Sequence, residues 1–83
     1  MYIHLGNEMV VKEDDIIGIF DLETTTVSKH TRKFLELAEK HKQVINVSYE
    51  LPKSFIVTDN KRQKNVYISQ ISTSTLQKRS KIL

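Results

Sequence analysis

The sequence predicts a small single α+β domain over residues 1–83, mostly antiparallel strands with one main helix and a short C-terminal helix. Three observations predict it. The chain has 83 residues and no cysteine, enough for one domain and one modest core with no disulfide or thiolate metal site. Short apolar runs, each bounded by a turn signal, recur along the chain. One stretch alone carries apolar residues at helical spacing over several turns.

At the start, Met1, Ile3 and Leu5 alternate with Tyr2 and His4, the pattern of a half-buried strand. Gly6-Asn7 is a turn signal, and Met9-Val10-Val11 reads as a second strand hairpin-paired with the first. Lys12–Asp15 is a charged turn. Ile16–Phe20 is then apolar on both faces, as in a strand buried on both sides. In so short a chain one of those faces is free for a subunit contact, for which Ile17 and Ile19 are the candidates, with Asp15 just ahead of them. A central strand covered by helix and loops is the competing reading.

Thr24-Thr25-Thr26 and Ser28 offer N-cap oxygens. Val27, Thr31, Phe34 and Ala38 follow in one helical stripe, flanked by Leu35 and Leu37, with Lys29, Arg32, Lys33, Glu36, Glu39 and Lys40 opposite. Val44–Tyr49 reads as a strand and Glu50-Leu51-Pro52 as a turn. Phe55–Val57 and Val66–Ile68 are two further strands around the polar loop 59–65. Ser72, Thr73 or Ser74 caps the short last helix, which holds Leu76 to Arg79. The aromatic residues Tyr2, Phe20, Phe34, Tyr49, Phe55 and Tyr67 mostly fall at core positions, so no base-stacking platform is expected.

The formal net charge of +3 hides an asymmetry. Up to residue 25 the only base is Lys12, against Glu8, Glu13, Asp14, Asp15, Asp21 and Glu23. From Asn60 onward there are only bases: Lys61, Arg62, Lys64, Lys78, Arg79 and Lys81. Such a molecule suits a polyanion at its basic part, or head-to-tail docking of its acidic part on a neighbour's basic part. Lys53, Lys61, Arg62, Lys64, Lys78 and Arg79 are the candidate phosphate contacts, weighed against ordinary solvated loops and helix ends.

Catalytic chemistry is not assembled. His4, His30 and His41 have no metal-ligand spacing, Asp14-Asp15 has no third ligand, and Gly6 and Gly18 form no phosphate loop. No enzyme, no metal, no cofactor and no small-molecule substrate is expected. With no signal peptide at the start and no stretch of ~20 apolar residues, a cytoplasmic protein without a membrane partner is expected.

Three segments together resemble a known family. They are Tyr2–Val11 followed by Asp15–Asp21, then Leu51–Asp59, then Val66–Arg79. Their order and spacing resemble the Rem family of bacterial extracellular-matrix (biofilm) regulators, its RemB-like branch in particular. The resemblance implies a cytoplasmic transcriptional regulator with a fold related to LytTR-type domains. It also implies closed homo-oligomeric rings and binding of double-stranded DNA upstream of matrix genes. Two departures stand out. RemA-like members place an arginine where this chain has Asp15, and paired arginines in the turn where it has Leu51-Pro52. A ring-forming regulatory interaction protein without direct DNA binding is therefore the alternative, and an RNA-binding ring is a weaker third reading.

Overall fold

The computed structural model describes residues 1–22 and 28–79. The possible caps Thr24–Thr26 and the stripe residue Val27 lie outside the described residues, as do Ser80 and Lys81. The element order is β1 (Tyr2–Gly6), β2 (Met9–Lys12), a short 3-10 turn (Glu13–Asp15), β3 (Ile16–Asp21), α1 (Lys29–Lys40), β4 (Val44–Asn46), β5 (Ser54–Asp59), β6 (Lys64–Ser69) and α2 (Thr73–Arg79). This is the expected α+β class.

β1 and β2 form an antiparallel hairpin by themselves. Asn7 and Glu8 at its tip both have positive φ, 44° and 65°, as a tight turn with right-handed strand twist requires. The other strands form one sheet in the order β3-β5-β6-β4. β5 runs antiparallel to both β3 and β6, whereas β4 runs parallel to β6.

The sheet lies between two layers. On one face the hairpin and α2 close over a core of Ile3, Leu5, Val11, Val47, Ile56 and Leu76. Ser69 Oγ donates to Leu5 O at 2.7 Å, and Asn7 Nδ2 donates to Val47 O at 2.8 Å, so polar bonds hold the hairpin to the sheet. On the other face α1 packs Ala38 and Leu35 against Phe55, Val57, Val66 and Val44.

Local chemistry explains the helix ends. Ser28 is the N-cap of α1, its Oγ accepting from Thr31 N at 3.1 Å. At the other end Gln43 N donates to Ala38 O at 2.8 Å and Lys42 N to Glu39 O at 3.0 Å, a Schellman motif with Lys42 in the left-handed region at φ 58°. Ser72 caps α2, accepting from Thr75 N at 3.3 Å.

Three expectations are corrected. The strand expected over Val44–Tyr49 stops at Asn46: Val47 N still bonds Ile68 O, but the chain bends at Val47 and again at Tyr49 and Glu50, and Tyr49 is 104% exposed. Tyr2, Phe20 and Phe34 also stand at the surface, so of the aromatic residues assigned to the core only Phe55 is fully buried. The α1 stripe is shifted as well. Ala38 is buried, but Phe34 and Leu37 remain exposed, because α1 packs through Ala38 and Leu35 on Phe55, Val57, Val66 and Val44.

Candidate functional site

The β5–β6 loop is a preformed tip. Asn60 Oδ1 accepts from Arg62 N at 2.8 Å and from Gln63 N at 2.9 Å, and Asn60 N donates to Gln63 O at 3.1 Å. Asparagine does this because its short side chain mimics a backbone turn. Lys61 and Arg62 therefore project, exposed, from a closed turn. The tip borders an open cleft of about 1060 Å³ that Lys12, Asp15, Ile17 and Asp59 also line. Three bases and two carboxylates thus line one cleft. Lys12 was not among the sequence candidates. Only the packing of the hairpin against the sheet brings it there.

The remaining basic candidates lie elsewhere. Lys53 is exposed just before β5, at the far end of that strand from the tip, roughly 20 Å away at about 3.4 Å per residue. Its backbone is pinned on both sides: its N–H donates to Ser69 O, and its carbonyl accepts from Leu22 N, each at 2.9 Å. Lys78 and Arg79 occupy the last turn of α2. Arg79 Nη1 donates to His4 O at 3.0 Å, so this guanidinium ties α2 to β1. Lys64 opens β6 and lines a different, apolar surface. The six candidates are spread over several places on the molecule.

The second feature is apolar. β3 carries a bulge. Ile16 pairs with Thr58 and Gly18 with Val57, leaving Ile17 as the extra residue. Ile17 is 60% exposed, while Ile19 opposes Ile56 and packs into the hairpin-side core. Of the two isoleucines expected at a subunit contact, Ile17 is free and Ile19 serves the interior. Asp15 is half-buried at the mouth of the basic cleft. Ile17, Phe20 and Phe34 form the walls of a groove of about 380 Å³ over Phe55 and Val57, with His30 and Lys64 also lining it. Thr31 completes the α1 side.

The outer face of α1 presents Lys29, Arg32 and Lys33 beside Glu36, as an amphipathic helix should. Among the described residues there is no cluster of three or more metal-binding side chains, and no helix is long and apolar enough to cross a membrane.

Among the described residues, this small α+β domain presents exposed cations on an Asn60-closed turn and an apolar groove walled by Ile17, Phe20 and Phe34. The chain matches the RemA-like family, extracellular matrix regulatory protein A-like, over residues 2–80, and it belongs to that family. It is 43% identical over 83 residues to extracellular matrix regulatory protein B of Bacillus subtilis (strain 168), an alignment covering all of this chain and 94% of that protein. The family is one of regulatory proteins rather than enzymes.

Proposed function

We propose that this protein is a DNA-binding regulator of extracellular-matrix genes, acting in the cytoplasm as a ring-shaped homo-oligomer. The observation that carries the DNA reading is the Asn60-closed turn, which holds Lys61 and Arg62 out in solvent with little backbone freedom left to lose. Phosphate contacts need cations at defined positions and carry no sequence information of their own. One turn per subunit is weak; repeated around a ring, it becomes a multivalent electrostatic surface whose affinity falls steeply with salt. Lys53 and Lys78 are secondary contacts on this reading, because both are exposed. Arg79 and Lys64 contribute less, since one bonds β1 and the other lines the apolar groove.

One observation favours the alternative, a regulatory assembly that acts through a protein partner without touching DNA. Asp15 and Asp59 share the cleft with Lys12, Lys61 and Arg62, and a carboxylate there repels phosphate. Light scattering on the purified protein, with and without random duplex DNA at low salt, separates the two. An assembly that takes up DNA, and loses it when Lys61 and Arg62 are together replaced by alanine while the assembly itself persists, supports the first reading. An assembly that ignores DNA supports the second.

A further inference from the structure

A polar recess of about 220 Å³ lies where the hairpin meets the sheet. Its hairpin side is Tyr2 and Lys12, Cα partners across β1 and β2. Its sheet side is Thr58 and Asn65, Cα partners across β5 and β6, with Tyr67 beside them. Tyr2, which the sequence places among core aromatics, is 59% exposed. Cross-strand partners share a face, so its phenol stands beside the Lys12 ammonium. The recess opens into the cleft of the β5–β6 turn, since Lys12, Asp15 and Asn60 line both. Asp15 is half-buried at this junction. The short turn before β3 fixes its backbone: Ile16 N donates to Glu13 O, and Ile16 then pairs with Thr58. Aromatic and amide side chains thus lie at one end of a continuous cavity, a carboxylate at its middle, and Lys61 and Arg62 at the other end.

We infer that this cavity binds a free nucleoside di- or triphosphate, its base in the recess, its ribose at Asp15 and its phosphates on Lys61 and Arg62. The recess is smaller than the roughly 300–1,000 Å³ that a whole drug-sized ligand fills, so it takes one ring system and leaves the charged part outside. Tyrosine stacks on any base, and the asparagine amide both donates to and accepts from a base edge. Ribose hydroxyls donate to a carboxylate, as they do in dinucleotide sites. That gives Asp15 a favourable task in a place where it repels bare phosphate. Asp59, the other carboxylate of the cleft, opposes Lys64 across β5 and β6, which offsets its charge. Lys12, Lys61 and Arg62 gather three positive charges in one cleft. The clustered charge of a polyphosphate suits them better than the single charge of a phosphodiester, and arginine can grip it through two parallel bonds. The inference goes beyond the DNA reading and shares two residues with it. A nucleotide on Lys61 and Arg62 keeps a DNA phosphate off them, so the two ligands compete.

The test is calorimetric titration of the full chain at low salt with ATP, GTP, CTP and UTP, their 2′,3′-dideoxy counterparts, and inorganic tripolyphosphate. At least one ribonucleotide should bind, and its dideoxy counterpart should bind about 10-fold or more weakly, the scale of hydrogen bonds to a charged acceptor. Tyr2→Ala should weaken the nucleotide about 5-fold or more through the lost stacking and leave tripolyphosphate unchanged. Lys61→Ala with Arg62→Ala should weaken both. Asp15→Ala should bring the ribose and dideoxy forms to equal affinity, a ratio that a merely structural defect does not move. Each variant is checked for a native circular dichroism spectrum. Binding of none of the ribonucleotides overturns the inference. So does tripolyphosphate binding as tightly as the nucleotides, because the recess then contributes nothing. A 5′-phosphorylated tetraribonucleotide that binds more tightly than the free nucleotides also overturns it, in favour of the end of an RNA strand. Duplex DNA titrated in parallel separates the two readings. Duplex bound without any nucleotide removes this inference and leaves the DNA reading, whereas nucleotide bound without duplex does the reverse.

Discussion

The rings of Phe20 and Phe55 stack with centroids 4.8 Å apart and planes within 17°. Phe55 is buried and Phe20 half-exposed, so the edge strand leans its aromatic ring inward over the central strand. Gly18, two residues earlier on the same face, makes room for it: a Cβ there would stand 2.7 Å from the outer edge of the Phe20 ring. Gly18→Ala therefore forces that ring off Phe55. The expected cost is about 1 kcal/mol, the scale of an aromatic pair beyond its buried area. Urea unfolding of Gly18→Ala, Phe20→Leu and the double variant checks it. The two effects should be markedly less than additive, because the leucine has already removed the stack; strict additivity would mean that Gly18 is accommodating something else.

Ser69 joins three parts of the molecule. Its hydroxyl donates to Leu5 O at 2.7 Å and accepts from Ile71 N at 3.0 Å, with the side chain completely buried. Ser69→Ala leaves a carbonyl and an N–H without that partner inside the core, which costs roughly 1–3 kcal/mol. The exposed cap variant Ser72→Ala should cost less, about 1 kcal/mol, because water replaces part of what is lost. Chemical denaturation of the two side by side checks the order. Equal losses would show that the hairpin is not held to the sheet through Ser69.

Lys42 occupies the left-handed position that ends α1, at φ 58°. A residue with a Cβ is strained there by about 1–2 kcal/mol, and glycine removes that strain while adding unfolded-state entropy. Lys42→Gly should therefore stabilise the domain by a net ~0.5–1 kcal/mol, read as a higher urea midpoint with an unchanged slope. A lower midpoint would mean that the lysine side chain contributes more than the strain it costs.

Asp15 tests the electrostatics of the cleft. On the DNA-binding proposal, Asp15→Asn removes one of the two carboxylates that line the cleft with Lys12, Lys61 and Arg62. Binding of a fluorescent duplex, followed by anisotropy at low salt, should tighten by about 2- to 5-fold, the scale of one exposed charge interaction. Unchanged affinity would show that phosphates do not approach this cleft.

Much of the local structure was legible because its causes are local. Ser28 and Ser72 cap helices through bonds that reach only three residues ahead. The Gly6-Asn7 signal and Pro52 mark chain reversals through their own backbone preferences. The apolar runs located the six strands of the described residues to within a few residues. The loop holding Lys61 and Arg62 was visible as a polar interval between two strands. That Asn60 closes it was in principle readable too, from asparagine at the head of a four-residue reversal.

The exposed surfaces were not legible in the same way. Alternation along Ile16–Phe20 shows which side chains share a face, but a single bulge at Ile17 sends that residue to the surface while Ile19 goes to the core. Tyr49 read as a strand residue, and it is exposed because β4 stops at Asn46. Sequence by itself determined the class of fold, the secondary-structure elements, the separation of acidic and basic halves and the family. Tertiary structure alone decided the parallel pairing of β4 with β6, the packing of α1 on β4, β5 and β6, and the meeting of Lys12 and Asp15 with the Lys61–Arg62 turn. The reason is physical: side-chain periodicity is a property of a few neighbouring residues, whereas the cover of a face depends on segments tens of residues away that must pack there.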